Sequence, residues 1–96
     1  LPIQLERITK GAEKMIVKDF KINYDLGLHA RIAAKFVEVT NKFSASINIR
    51  SGESLIDGKS IMGILSLGVK QGDSITVEVD GIDEEGMIKE LDNLFE

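Results

Sequence analysis

A single histidine, an arginine two residues after it and one serine carry most of the chemistry open to this sequence. His29 stands in the run Gly27-Leu28-His29-Ala30-Arg31, where a strand-like pattern gives way to a helical one. The first N–H groups of a helix have no internal partners and carry partial positive charge. A phosphate there is stabilised by such amides, here those of Ala30 and Arg31, and by the Arg31 guanidinium. The same field disfavours an imidazolium and leaves the ring a neutral nucleophile. Gly27 lets the backbone bend close to such a group. Two readings stay open at this level: a phosphoryl acceptor, and a histidine that caps a helix and does nothing else.

Ser60 opens a second short helical stretch in Lys59-Ser60-Ile61-Met62-Gly63. Serine is a favoured N-cap because its hydroxyl accepts a bond from an amide one turn in. A phosphate on Ser60 would also sit at a helix start, where negative charge is tolerated. Ile61, Met62, Ile64, Leu65 and Leu67 follow within about two turns and cannot all face inward. Ile61, Met62 and Leu65 are therefore read as a partner-docking patch, with core packing taking the others.

Composition removes many alternatives. Ninety-six residues with 43% hydrophobic content describe one small domain. With no cysteine there are no disulfides or thiolate sites, and a lone histidine leaves no multi-histidine metal centre, so no metal and no cofactor is expected. The net charge is −4, tryptophan is absent and aromatics are 5% of the chain. A nucleic-acid binder usually carries a basic stripe with stacking aromatics, so nucleic acid is not an expected partner. The short apolar runs predict no membrane span, and the N-terminus lacks the basic-then-apolar pattern of a secretory signal. The absence of cysteine fits a reducing cytoplasm. Arg31, Lys35 and Lys42 make a basic stretch after His29, and the acidic residues of 83–96 read as a solvated helix face.

The elements that must position these groups follow from periodicity. Ile16, Phe20, Ile22 and Tyr24 alternate with Val17, Asp19, Lys21 and Asn23 as a half-buried strand that Gly27 breaks. Ile32, Ala33, Phe36, Val37 and Thr40 recur at helical spacing over 30–41. Ile47 and Ile49 mark a second strand, Ser51-Gly52 a hairpin turn, and 55–57 a third strand. A short helix over 61–67 follows, then a strand with Ile75, Val77 and Val79, then a helix from about Asp83 with Met87, Ile88, Leu91, Leu94 and Phe95 inward. The order βαββαβα predicts an α+β fold, with helices covering one face of a mainly antiparallel sheet. Residues 1–14 follow no sustained period and read as a leader, linker or vector-derived segment, or else a docking arm; the domain proper is 15–96.

The two segments together resemble the HPr family, the histidine-containing phosphocarriers of the bacterial phosphoenolpyruvate-dependent sugar phosphotransferase system. Gly27-Leu28-His29-Ala30-Arg31 with Ala33-Ala34 is similar to the phosphohistidine motif. Lys59-Ser60-Ile61-Met62-Gly63 with Ser66-Leu67-Gly68, 31 residues beyond the histidine, is similar to the regulatory-serine segment of the Gram-positive type. The resemblance runs from about Met15 to Glu96. It implies an open-faced β-sandwich: a four-stranded antiparallel sheet with three helices on one side. It implies that enzyme I phosphorylates His29 at Nδ1, that sugar-specific IIA domains take the group on, and that Arg31 assists both steps. It further implies Ser60 phosphorylation by HPr kinase/phosphorylase, with the phosphoserine form binding a catabolite repressor. Such a protein is a covalent intermediate between enzymes and has no turnover of its own. A monomer is expected, although an arm before the first strand offers a route to strand exchange between chains.

Some positions depart from the family pattern. Ile32 stands where proline normally follows the arginine, which restores an N–H and frees φ. Leu26 replaces a small polar residue in the loop before the histidine, and Asp57-Gly58 replaces a commonly apolar neighbour of Lys59. These departures support a second reading, an HPr-like catabolite-repression regulator that works through Ser60 with little or no part in sugar transport.

Overall fold

A computed structural model of the chain describes residues 15–95. The expected leader or arm at 1–14 lies outside the described residues. The elements are β1 (Ile16–Lys21), α1 (Ala30–Thr40), β2 (Ser46–Ser51), β3 (Ser54–Asp57), α2 (Ile61–Ser66), β4 (Ser74–Asp80) and α3 (Glu84–Phe95). All pairings in the four-stranded sheet are antiparallel, in the order β1-β4-β2-β3. The expected βαββαβα architecture is the one observed.

Strand alternation decides which face the helices cover. Phe20 pairs with Ile75, Ile49 with both Val77 and Ile56, and Ile47 with Val79, so the ladder registers stack apolar side chains on one face. That face packs against Ile32, Ala33 and Phe36 of α1, Ile64 of α2, and Met87, Leu91 and Phe95 of α3. Val17, Asp19, Lys21, Asn48, Arg50 and Ser74 are exposed on the other face. A one-residue slip in any strand would exchange these two sets, so burial itself holds the register.

Three details differ from the expectation. The β1 ladder stops at Lys21, before Tyr24, because β4 begins at Ser74 and offers no further strand partners. Ile22 still exchanges backbone bonds with the turn beyond, donating to the Asp73 carbonyl and accepting from the Gly72 N–H. Lys18 shares the inner side with Ile16 and Phe20; its stem lies along the sheet and its ammonium pairs with Asp92 of α3. The acidic segment is not wholly a solvated face. Glu84 is buried, with Oε1 accepting from the Gly81 N–H at 3.0 Å, and Asp83 accepts from the Ser44 and Ala45 amides at 2.9 Å each. Asp83 thus ties the start of α3 to the loop leading into β2, and Glu84 ties it to the turn after β4.

Phe95 closes the core at the other end of α3. Its ring lies 5.1 Å from Phe20, 5.9 Å from Phe36 and 6.3 Å from Tyr24, so one residue gathers β1, α1 and the loop between them. Among the described residues no helix is long and apolar enough to cross a membrane.

Candidate functional site

The loop before α1 is shaped by contacts on both sides. The Tyr24 carbonyl accepts the Gly27 N–H at 2.8 Å, which closes a turn over residues 24–27. Gly27 has φ +67 and lies so close to the segment after α2 that a Cβ would fall 2.1 Å from the Val69 carbonyl oxygen. Only glycine meets both demands. The next residue, Leu28, is buried and donates its N–H to that same Val69 oxygen at 3.1 Å. His29 follows directly, so its position is set by a sequence-distant backbone carbonyl.

His29 is the N-cap of α1, with φ −84 and ψ 178, and its carbonyl accepts the Ala33 N–H at 2.8 Å. Its ring is half-buried. Nδ1 accepts from the Arg31 N–H at 3.3 Å, so the Nδ1 lone pair faces the helix start and a neutral ring carries its proton on Nε2. Ala30 and Arg31 are exposed, and no acidic side chain occupies the first turn of α1. The positive end of the helix is therefore left for an incoming anion. Arg31 makes no salt bridge among the described residues.

Ser60 caps α2, and its Oγ accepts from the Gly63 N–H at 3.0 Å. The loop before it is braced: the Asp57 side chain accepts from the Lys59 N–H at 2.9 Å, and Lys59 Nζ donates to the Phe43 carbonyl at 2.8 Å. Ile64 is the buried anchor of α2. Met62 is 76% exposed and Ile61 39%, while Leu65 is half-buried. The outward side of α2 is thus apolar at Ile61 and Met62, while Leu65 packs partly against the core.

The two caps are separate sites with no hydrogen bond between them. They are linked through the packing of α1 on α2 and through the Leu28–Val69 bond. Of the departing residues, Ile32 is buried in the core and Leu26 is 74% exposed in the turn before His29. Sequence reasoning did not single out Val69 or Tyr24. Val69 acts through its carbonyl, which no side-chain pattern reveals, and Tyr24 continues the apolar alternation of Ile16, Phe20 and Ile22 past the end of β1. Among the described residues no cluster of His, Asp and Glu is placed to hold a metal ion.

The family described as the PTS HPr component phosphorylation site matches residues 16–96. A phosphocarrier protein HPr of Xylella fastidiosa is 37% identical over 82 residues, covering 85% of this chain and 92% of that protein. A multiphosphoryl transfer protein of Xanthomonas campestris is 42% identical over 73 residues, covering 76% of this chain; the chain spans only 9% of that protein. The crystal structure of an HPr from Bacillus anthracis superposes with a TM-score of 0.80 at 36% identity, covering 85% of this chain and 98% of the other.

Proposed function

Because the chain belongs to the HPr family, the phosphocarriers of the sugar phosphotransferase system, we propose that His29 is its phosphoryl acceptor, with Nδ1 as the nucleophile. The observation that carries this is the direction of Nδ1, whose lone pair faces the start of α1 and accepts the Arg31 N–H. That bond is long at 3.3 Å, so releasing it costs little. Once released, the lone pair attacks the phosphorus of a phosphohistidine on enzyme I. The donor P–N bond breaks as the new one forms, and its electron pair returns to the donor imidazole. The freed Arg31 N–H, with that of Ala30, then faces the phosphoryl oxygens, and the Arg31 guanidinium offsets their charge. Transfer to a sugar-specific IIA domain runs the same step in reverse. The protein contributes a positioned nitrogen and a positive helix end, and turnover belongs to its partners in the cytoplasm.

We further propose that Ser60 is the regulatory position, modified by HPr kinase/phosphorylase. Phosphorylation would replace the hydroxyl that accepts the Gly63 N–H and add about two negative charges beside Ile61, Met62 and Leu65. That charge would repel an acidic face of enzyme I and create a new determinant for a catabolite repressor. A second reading, a regulator with little transport role, is favoured by apolar Leu26 in the turn before His29, where a polar side chain could hydrogen-bond near a phosphate.

One experiment separates the two. The protein is incubated with enzyme I and phosphoenolpyruvate, and the phosphate is mapped by mass spectrometry in alkali, which spares phosphohistidine. Near-stoichiometric label on His29, absent from His29→Ala, is expected. Label that persists in His29→Ala would refute the assignment. A folded parent chain that takes no phosphate at His29 in this assay, yet is labelled at Ser60 in a parallel incubation with HPr kinase/phosphorylase and ATP, would make it a regulator.

A further inference from the structure

We propose that Tyr24 is a positioning residue for His29, holding the phosphoacceptor loop to the C-terminal end of α3 through its hydroxyl. The inference rests on the reading of His29 as acceptor and adds a residue to it. Tyr24 O–H donates to the Leu94 carbonyl, one of the last carbonyls of α3, which have no partner inside the helix. The same residue's own carbonyl accepts the Gly27 N–H and so closes the turn that leads into His29. Residues 24–29 are therefore tethered at both ends, by Leu94 on the α3 side and by Val69 on the α2 side. The Tyr24 hydroxyl is the side-chain part of that tether; the rest is backbone.

The tyrosine ring also packs edge-on against Phe95, which itself contacts Phe20 and Phe36. This separates two roles within one side chain. The ring belongs to the aromatic cluster, and the hydroxyl fixes the height of the turn relative to α3. Without the hydroxyl the turn keeps its ring contact and loses its fixed point on that side. The displacement passes along a short stretch to Nδ1, whose contact with the Arg31 N–H is already at the long end of hydrogen bonding.

Tyr24→Phe removes the hydroxyl and keeps the ring. We expect the His29 imidazole and Arg31 amide resonances of the variant to shift. Phosphoryl transfer from enzyme I should slow by about three- to tenfold in kcat, with KM for the carrier within roughly twofold, as expected when the acceptor is misplaced and the docking surface is untouched. Asp83→Asn, which loosens the opposite end of α3 at Ser44 and Ala45, is the control for a general loss of stability. It should leave the His29 resonances and kcat at parent values. Unchanged His29 signals and parent kcat in Tyr24→Phe would overturn the proposal, as would equal changes in Asp83→Asn. The magnetic resonance arm needs no partner enzyme. A parent chain that takes no phosphate at His29 would thus defeat the functional reading while leaving the positioning claim to be decided by the spectra.

Discussion

Gly27→Ala measures how firmly the segment after α2 holds the loop that leads into His29. Two costs arise, and the structure separates them. The first is conformational: at φ +67 a side chain is disfavoured by about 1–2 kcal/mol. The second is steric. The added Cβ would stand 2.1 Å from the Val69 oxygen and 2.7 Å from the Lys70 Cα, and neither is a flexible side-chain end that could step aside. The two segments must part by roughly 1 Å to reach ordinary contact, which stretches the 3.1 Å bond from Leu28 beyond hydrogen-bonding range. Leu28 is buried, so its N–H is left unsatisfied at a cost of about 1–3 kcal/mol. The sum is about 2–5 kcal/mol.

Gly52→Ala supplies the comparison. Gly52 also has a positive φ, of 60, but nothing lies within 4 Å of a Cβ placed there, so only the conformational cost of about 1–2 kcal/mol applies. Urea unfolding followed by circular dichroism gives both values, the chain having no tryptophan. The excess for Gly27→Ala should be about 1–3 kcal/mol, roughly five- to 150-fold in the folding constant. In folded Gly27→Ala, transfer to His29 should fall by up to about a hundredfold, since its backbone is displaced by an amount on the order of 1 Å. Equal destabilisation by the two substitutions would refute the argument that the contact with Val69 constrains the loop.

Other expectations are simpler to check. Ser60→Ala should lose ATP-dependent phosphorylation by HPr kinase/phosphorylase and about 1 kcal/mol of stability, from the cap on Gly63; mass spectrometry and urea titration test each part. Ile32→Pro should fold, because proline suits the first turn of a helix, and should cost about 1 kcal/mol from the smaller buried side chain. A much larger loss in its melting curve would show that α1 does not begin at Ala30. Asp83 has its carboxyl held below the ordinary value of 3.8, chiefly by the Ser44 N–H and also by that of Ala45. A depressed carboxyl stabilises the fold above the unfolded value and loses that contribution as pH falls through the lower folded one. Asp83→Asn should therefore melt below the parent at neutral pH, and the gap should close as pH drops below 3.8. A gap independent of pH would mean that charge plays no part in the contact.

The elements and both caps were legible in the sequence because each depends on local order. Alternation at Ile47 and Ile49, or helical spacing at Ile32, Ala33 and Phe36, reports which side of an element meets the core without reference to any other element. Likewise, His29 and Ser60 cap their helices through bonds to amides two and three residues ahead. The resemblance to phosphocarriers rested on the same two short runs. What only the tertiary structure decided is the set of contacts made by partners distant in sequence. The Val69 carbonyl meets Leu28 and crowds Gly27, the Leu94 carbonyl receives the Tyr24 hydroxyl, and the carboxylate of Asp83 reaches back to Ser44 and Ala45. Glu84, read from the sequence as part of a charged surface, is buried with its carboxylate satisfied by the Gly81 N–H. Backbone carbonyls and amides are nearly the same at every residue, so no pattern of side chains announces which of them will meet. Chain packing decides that, and here it decides where the nitrogen of His29 is held.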